Sequence, residues 1–351
     1  MFVIFLLEEG QRMLNKMHKG ESVVFVGQTP QKLRHGNVVR CLSVGTGQGS
    51  DHPKDVTYME QEDFVIDYEA GTIARTENSS IPDWRSHVVY GKESFDHRDY
   101  ADCSNRKFTV YVDYEYIEES EEAHADCADA EGEQLRRVRA KIAAGENIRY
   151  VVFGDSISAG GDASRDEYAF YQLFAGELRK RFEGMEFEVV NRAIGGETSV
   201  DGLKRFEDDV IALRPDIVSI GYGMNDQCTM SEQIRNGVPP GEFERNIRQM
   251  VTRIQEATGA DIILVTPCES NPQWKHSSGD LAIYADILKR IGKECNIAVA
   301  DVHRLWNEEL RAGKTHESLL LNNINHPNDY GHRIYYEAFV PLIPAVPSKS
   351  R

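Results

Sequence analysis

The chain lacks the sequence devices by which proteins cross membranes or cling to acidic polymers. No apolar run approaches the ~20 residues that span a bilayer. Residues 2–7 are apolar, but no basic residue precedes them and Glu8-Glu9 follows at once, so they read as a strand opening or a frayed terminus rather than an export signal. Positive charge is in deficit: 40 Lys plus Arg against 57 Asp plus Glu leave a formal charge of −17 over 351 residues. Such a surface repels phosphate backbones and anionic lipid, so neither nucleic acid nor membrane is expected as a partner. Cysteine is sparse. Cys41, Cys103, Cys127, Cys228, Cys268 and Cys295 form no Cys-x-x-Cys pair and no framework spacing. They read as reduced thiols of a cytoplasmic protein, with no metal and no cofactor expected. The glycine-rich stretch Gly45-Thr46-Gly47-Gln48-Gly49 is followed by Asp51-His52-Pro53 instead of a lysine and a helix, which makes it a loop and not a phosphate cradle.

What is present falls into two textures. Residues 1–117 read as a β-rich accessory domain, because short apolar runs are punctuated by turn residues. Val23-Val24-Phe25-Val26, Phe64-Val65-Ile66, Thr72-Ile73 and Val88-Val89-Tyr90 are such runs, and the segment 108–114 alternates as a half-buried strand does. From Asp113 to Glu133 there are ten acidic residues and no Lys or Arg, the composition of a solvated linker or helix face. Leu135, Val138 and Ile142 then mark a short amphipathic helix stopped by Gly145, so residues 118–147 read as an acidic linker plus a short helix.

Residues 148–345 alternate strands with helices. Strand-like runs at 150–153, 187–190, 217–220, 262–265 and 297–299 are separated by helical stripes such as Tyr171, Phe174, Leu178, Phe182 and Phe243, Ile247, Met250, Val251, Ile254. This pattern predicts a parallel sheet covered on both faces, with ligands gathering at the carboxyl ends of its strands.

Chemistry-bearing residues lie at those ends. The first strand runs into Gly154-Asp155-Ser156, which exposes a serine hydroxyl on a turn before a helix. The second runs into Gly195-Gly196-Glu197-Thr198, where successive glycines let the backbone approach a ligand, although a plain turn with Thr198 or Ser199 as helix cap reads equally well. The third runs into Gly223-Met224-Asn225-Asp226, whose asparagine can supply an amide donor. Near the C-terminus His326 precedes a proline and a helix beginning at about Asn328, the best placed of 11 histidines to act as a base.

These four blocks, in this order, resemble the SGNH (GDSL-type) hydrolase superfamily over roughly residues 148–343. No Gly-x-Ser-x-Gly elbow is present, which counts against the α/β-hydrolase alternative. The resemblance implies a three-layer α/β/α fold around a five-stranded parallel sheet, flavodoxin-like, preceded here by an all-β, jelly-roll-like sandwich. It implies Ser156 as nucleophile, His326 as its base, and an oxyanion hole from the N–H groups of Ser156 and Gly196 and the amide of Asn225. Asp155 is expected to hold the turn. The layout resembles carbohydrate esterases, so the expected activity is removal of a small acyl group, acetyl foremost, from a carbohydrate ester through an acyl-enzyme. Trp274 either stacks on the sugar or caps the core. A lysophospholipase, an acyl-CoA thioesterase, or a binding protein whose catalysis has decayed are the rival readings.

One position departs from the pattern. Family members usually carry Asp-x-x-His, and here Asn323 stands three residues before His326. An asparagine cannot balance an imidazolium, and the equivalent change in a serine-protease triad costs about 10⁴ in kcat. The expectation is therefore a Ser156–His326 dyad, with Nδ1–H donated to the Asn323 side chain or to a backbone carbonyl. The alternative is a carboxylate from elsewhere, Glu269 or Asp329. His332 and His303 are read as supporting or surface residues, and Trp306 as core.

Overall fold

The structure, a computed structural model, describes residues 5–6, 12–47, 55–119 and 134–345. Cys127, most of the acidic run and the segment 48–54 lie outside the described residues.

The N-terminal region is β-rich and antiparallel. Its strands are β1 (Phe5–Leu6), β2 (Arg12–Val24), β3 (Gln31–Lys32), β4 (Val38–Gly45), β5 (Phe64–Asp67), β6 (Thr72–Arg75) and β7 (Thr109–Glu119). They form a four-stranded sheet in the order β1-β2-β7-β4 and a three-stranded sheet in the order β3-β6-β5. One apolar core unites the two sheets, with Val23, Phe25, Leu33, Phe64, Ile73, Val110 and Val112 in it. The expected strand at 88–90 is instead a turn. Tyr90 N–H bonds back to His87 O at 3.0 Å, so its backbone is satisfied locally. Only Val89 of the three is buried, against Trp84 and Phe95.

After helix α1 (Arg136–Ala144), capped by Gly145 in the left-handed conformation, the chain alternates as its periodicity predicts. The elements are β8 (Ile148–Gly154), α2 (Phe170–Arg181), β9 (Phe187–Asn191), α3 (Ser199–Asp209), β10 (Ile217–Gly221), α4 (Pro240–Ala257), β11 (Asp261–Val265), α5 (Leu281–Cys295), β12 (Ala298–Ala300), α6 (Val302–Arg311), α7 (His316–Leu319) and α8 (Asp329–Phe339). The five strands are parallel, in the order β12-β11-β10-β8-β9. Strand periodicity divides the core. Tyr150, Val152, Ile217, Ile263 and Val265 face the layer of α1, α2, α6 and α8, while Val151, Phe153, Val218, Ile220, Ile262 and Leu264 face α3, α4 and α5. Both faces are therefore apolar, which is why these strands read as continuous hydrophobic runs. Because β9 and β10 flank β8 on opposite sides, the chain reverses direction across the sheet there, and the carboxyl ends of β8 and β10 border a crevice.

The two regions share a buried polar seam. A bulge between His18 and Glu21 in β2 turns Glu21 inward. There its carboxylate is fully buried, accepts from Tyr114 Oη at 2.6 Å and Arg34 N at 2.8 Å, and pairs with Lys314. Ser22 Oγ donates to Ser318 O, and Asn105 N donates to Leu321 O at 2.7 Å. The β-rich region is thus bonded to the very segment that leads into His326.

Candidate active site

Ser156 sits just past β8, where the backbone curls tightly. Ala159 N bonds to Asp155 O at 3.0 Å and Gly161 N to Ser156 O at 2.8 Å, which lifts the serine side chain to the rim of the sheet, half-buried. Asp155 points inward. Its Oδ1 accepts from Ile157 N at 3.0 Å, and burial pushes its carboxyl up to about 7.

The histidine arrives on a loop with little freedom. Asn322 Oδ1 accepts from the N–H groups of Ile324, Asn325 and His326, each at 2.9 Å, and Leu321 N closes the loop on His326 O at 2.9 Å. Asn328 then caps α8, its Oδ1 accepting from Gly331 N at 2.9 Å. The result is a 2.8 Å contact between His326 Nε2 and Ser156 Oγ, groups 170 residues apart in the chain.

The other side of the imidazole overturns the expected dyad. His326 Nδ1 faces Asp162 Oδ2 at 3.2 Å. A carboxylate can only accept, so Nδ1 carries the proton and Nε2 presents its lone pair to the serine hydroxyl. Asn323 cannot serve His326 because it is fully buried and already engaged: its Oδ1 accepts from Asn105 Nδ2 at 3.2 Å and Asn271 Nδ2 at 3.0 Å. Neither carboxylate weighed from the sequence serves it. Glu269 pairs with His303 at 2.7 Å, and Asp329 accepts from Ser164 N at 2.7 Å and Ser164 Oγ at 2.6 Å. Spacing along the sequence does not single out Asp162, although a carboxylate directly after the two glycines of the Ser156 turn is a readable signal.

Close approach explains one of those glycines. A Cβ built at Gly161 would lie 2.7 Å from Ser156 O and 3.3 Å from both Nδ1 and Cε1 of His326. His332, fully buried under the turn and stacked near Phe170, holds Gly161 O at 3.1 Å through Nε2; burial lowers its pKa to about 4, so the ring is neutral.

The two remaining blocks are tied to each other. Asp226 Oδ1 accepts from Ser199 N at 2.9 Å and Ser199 Oγ, and Oδ2 accepts from Gly223 N at 3.0 Å. Asn225 Nδ2 spends one proton on Glu197 O at 2.9 Å, and its second proton has no acceptor among the described residues. The Glu197 carboxylate is gripped by Arg205, whose guanidinium also lies 4.4 Å over the Phe153 ring. Thr198 caps α3. Gly195 adjoins Ser156, a Cβ there meeting Ser156 Cβ at 3.6 Å, and Gly196 has φ +80, which favours a residue without Cβ.

Trp274 is only 7% exposed, packed with Val24, Trp84 and Phe95, and its Nε1 donates to His97 Nδ1 at 3.0 Å. It offers little ring face for stacking on a sugar, so the core-capping alternative prevails. Among the described residues, Asp96, His97 and His276 place ligand-type atoms within 4.8 Å of one another. His97 Nδ1 already accepts from Trp274, and Asp96 is paired with Arg98 at 2.6 Å, so protein donors occupy that cluster.

Residues 152–334 match the GDSL-like lipase/acylhydrolase family model. An acetylxylan esterase of Geobacillus stearothermophilus is 32% identical over 213 residues, covering 57% of this chain and 94% of that protein. The esterase TesA of Pseudomonas aeruginosa is 33% identical over 117 residues, covering 33% of this chain and 52% of its own length. A crystal structure of the Geobacillus acetylxylan esterase Axe2 aligns with a TM-score of 0.49 at 27% identity, over 59% of this chain and 99% of that one.

Proposed function

Because the chain belongs to the GDSL-like lipase/acylhydrolase family, and so is a carboxylic ester hydrolase, we propose that it is a serine esterase that removes acetyl groups from a carbohydrate. The observation that carries the reading is the 2.8 Å contact between Ser156 Oγ and His326 Nε2 at the carboxyl edge of the sheet. Ser156 Oγ attacks the acetyl carbonyl while its proton passes to Nε2. The C–O bond to the sugar then breaks, the sugar oxygen takes the proton from the imidazole, and an acetyl-serine is left. Water repeats the cycle and releases acetate. Charge on the carbonyl oxygen is met by the N–H groups of Ser156 and Gly196 and by the free proton of Asn225 Nδ2. The carbohydrate part of the reading is supported by the 32% identity with an acetylxylan esterase over nearly all of that protein. No described helix is long and apolar enough to cross a membrane. A cytoplasmic setting suits the free thiols of Cys41, Cys103, Cys228, Cys268 and Cys295.

The test is acetate release from acetylated xylo-oligosaccharides, beside hydrolysis of nitrophenyl acetate, butyrate and octanoate, by the native protein and Ser156→Ala. Expected are activity confined to short acyl chains and loss of at least about 10³-fold in the variant. Equal rates for the two proteins reject the serine mechanism, and rates rising with chain length favour the lipid reading.

A further inference from the structure

We propose that Asp162 is the positioning carboxylate of His326, supplied by the nucleophile's own turn in place of Asn323, and that Arg106 of the β-rich region holds it in register; the inference rests on the esterase reading above. Four observations converge. The carboxylate meets Nδ1 at 3.2 Å, on the side of the ring opposite the 2.8 Å contact to Ser156. Asp162 has φ +65, a left-handed conformation that residues with a Cβ seldom adopt and that marks functional positions when the surroundings enforce it. The surroundings do enforce it: Gly161 N is bonded to Ser156 O at 2.8 Å, Gly161 O to His332 Nε2 at 3.1 Å, and Ser164 N to Asp329 Oδ1 at 2.7 Å.

The third observation concerns Asn323. Its side-chain oxygen faces the amide donors of Asn105 and Asn271 in a fully buried setting. A carboxylate placed there would find the same two donors, not the imidazole. The fourth is Arg106, whose Nη2 meets Asp162 Oδ1 at 3.2 Å and leaves Oδ2 to His326. Two successive residues of the β-rich region thus serve the site: Asn105 engages the side chain of Asn323 and Arg106 anchors Asp162. The carboxylate fixes the imidazole tautomer and offsets the charge that appears when the serine proton reaches Nε2. The β-rich region is on this account a working part of the active site, and not a tethered module.

The experiment measures kcat and KM on nitrophenyl acetate for Asp162→Asn, Asp162→Asn with Asn323→Asp, and Arg106→Gln. In parallel, one-dimensional proton NMR looks for the low-field resonance of a hydrogen-bonded imidazole N–H. For Asp162→Asn the expected loss is about 10²- to 10⁴-fold in kcat, with KM changed by less than about threefold. Adding Asn323→Asp restores nothing, and Arg106→Gln costs about three- to tenfold, as its exposed pairing implies. The low-field resonance persists in Ser156→Ala and vanishes in Asp162→Asn. Should Asp162→Asn fail to fold, Asp162→Glu carries the same kinetic and NMR test, with partial activity and a retained resonance expected. An active Asp162→Asn, rescue by Asn323→Asp, or a resonance indifferent to residue 162 overturns the inference. Full activity in Ser156→Ala would instead overturn the serine mechanism on which the inference rests.

Discussion

Gly161→Ala tests how tightly the site is packed. The added Cβ would lie 2.7 Å from Ser156 O, whereas ordinary contact begins at 3.4 Å, so the two ends of the turn must part by about 0.7 Å. Ser156 O belongs to backbone that is bonded to Gly161 N at 2.8 Å and cannot swing aside as a side chain would. The strain therefore falls on the turn that carries Ser156, because the His326 ring, 3.3 Å from the new atom, needs to give only about 0.1 Å. Displacing a reacting group by that order typically costs about 10²-fold. The expected outcome is a kcat on nitrophenyl acetate reduced about 30- to 100-fold, with a urea midpoint close to that of the native protein. A variant within about twofold of native kcat would refute the claim that close contact at Gly161 sets the position of Ser156.

Two further outcomes probe the scaffold. Lys314→Met leaves the fully buried Glu21 carboxylate without its cation and is expected to cost about 3–5 kcal/mol in urea unfolding. Adding Glu21→Gln should return much of that loss, and simple additivity of the two would count against a coupled pair. His332, held neutral with its pKa near 4 against 6.5 when unfolded, contributes stability that is complete above pH 6.5 and lost as pH falls toward 4. Relative to His332→Gln, the native protein should therefore lose about 2 kcal/mol of its advantage between pH 8 and pH 5; an unchanged difference would show that the imidazole is not buried neutral.

Much of the fold was legible because it depends on local periodicity. Five apolar runs of strand length separated by helical stripes specify a sheet covered on two faces whatever the side chains' later partners, and the structure sorts those runs residue by residue onto its two cores. The β-rich region was harder to read. β4 alternates imperfectly, with Val38 and Val44 buried but Val39 and Leu42 exposed, residues 15–19 of β2 are mostly exposed and polar, and the apolar triplet at 88–90 satisfied its backbone in a turn.

The meeting of Ser156 with His326 could be expected from the order of the motifs, because both precede or follow elements whose ends must share one sheet edge. The partner of His326 could not. A contact to Nδ1 depends on which of several loops closes over the ring, and linear spacing favoured Asn323, Glu269 and Asp329 over a residue on the opposite loop. What excluded those three is tertiary: Asn105 and Asn271 claim Asn323, His303 claims Glu269, and Ser164 claims Asp329. Local chemistry along the chain determined which groups could react; the closure of distant loops, enforced by buried polar groups that each must find a partner, decided which carboxylate stands behind the histidine.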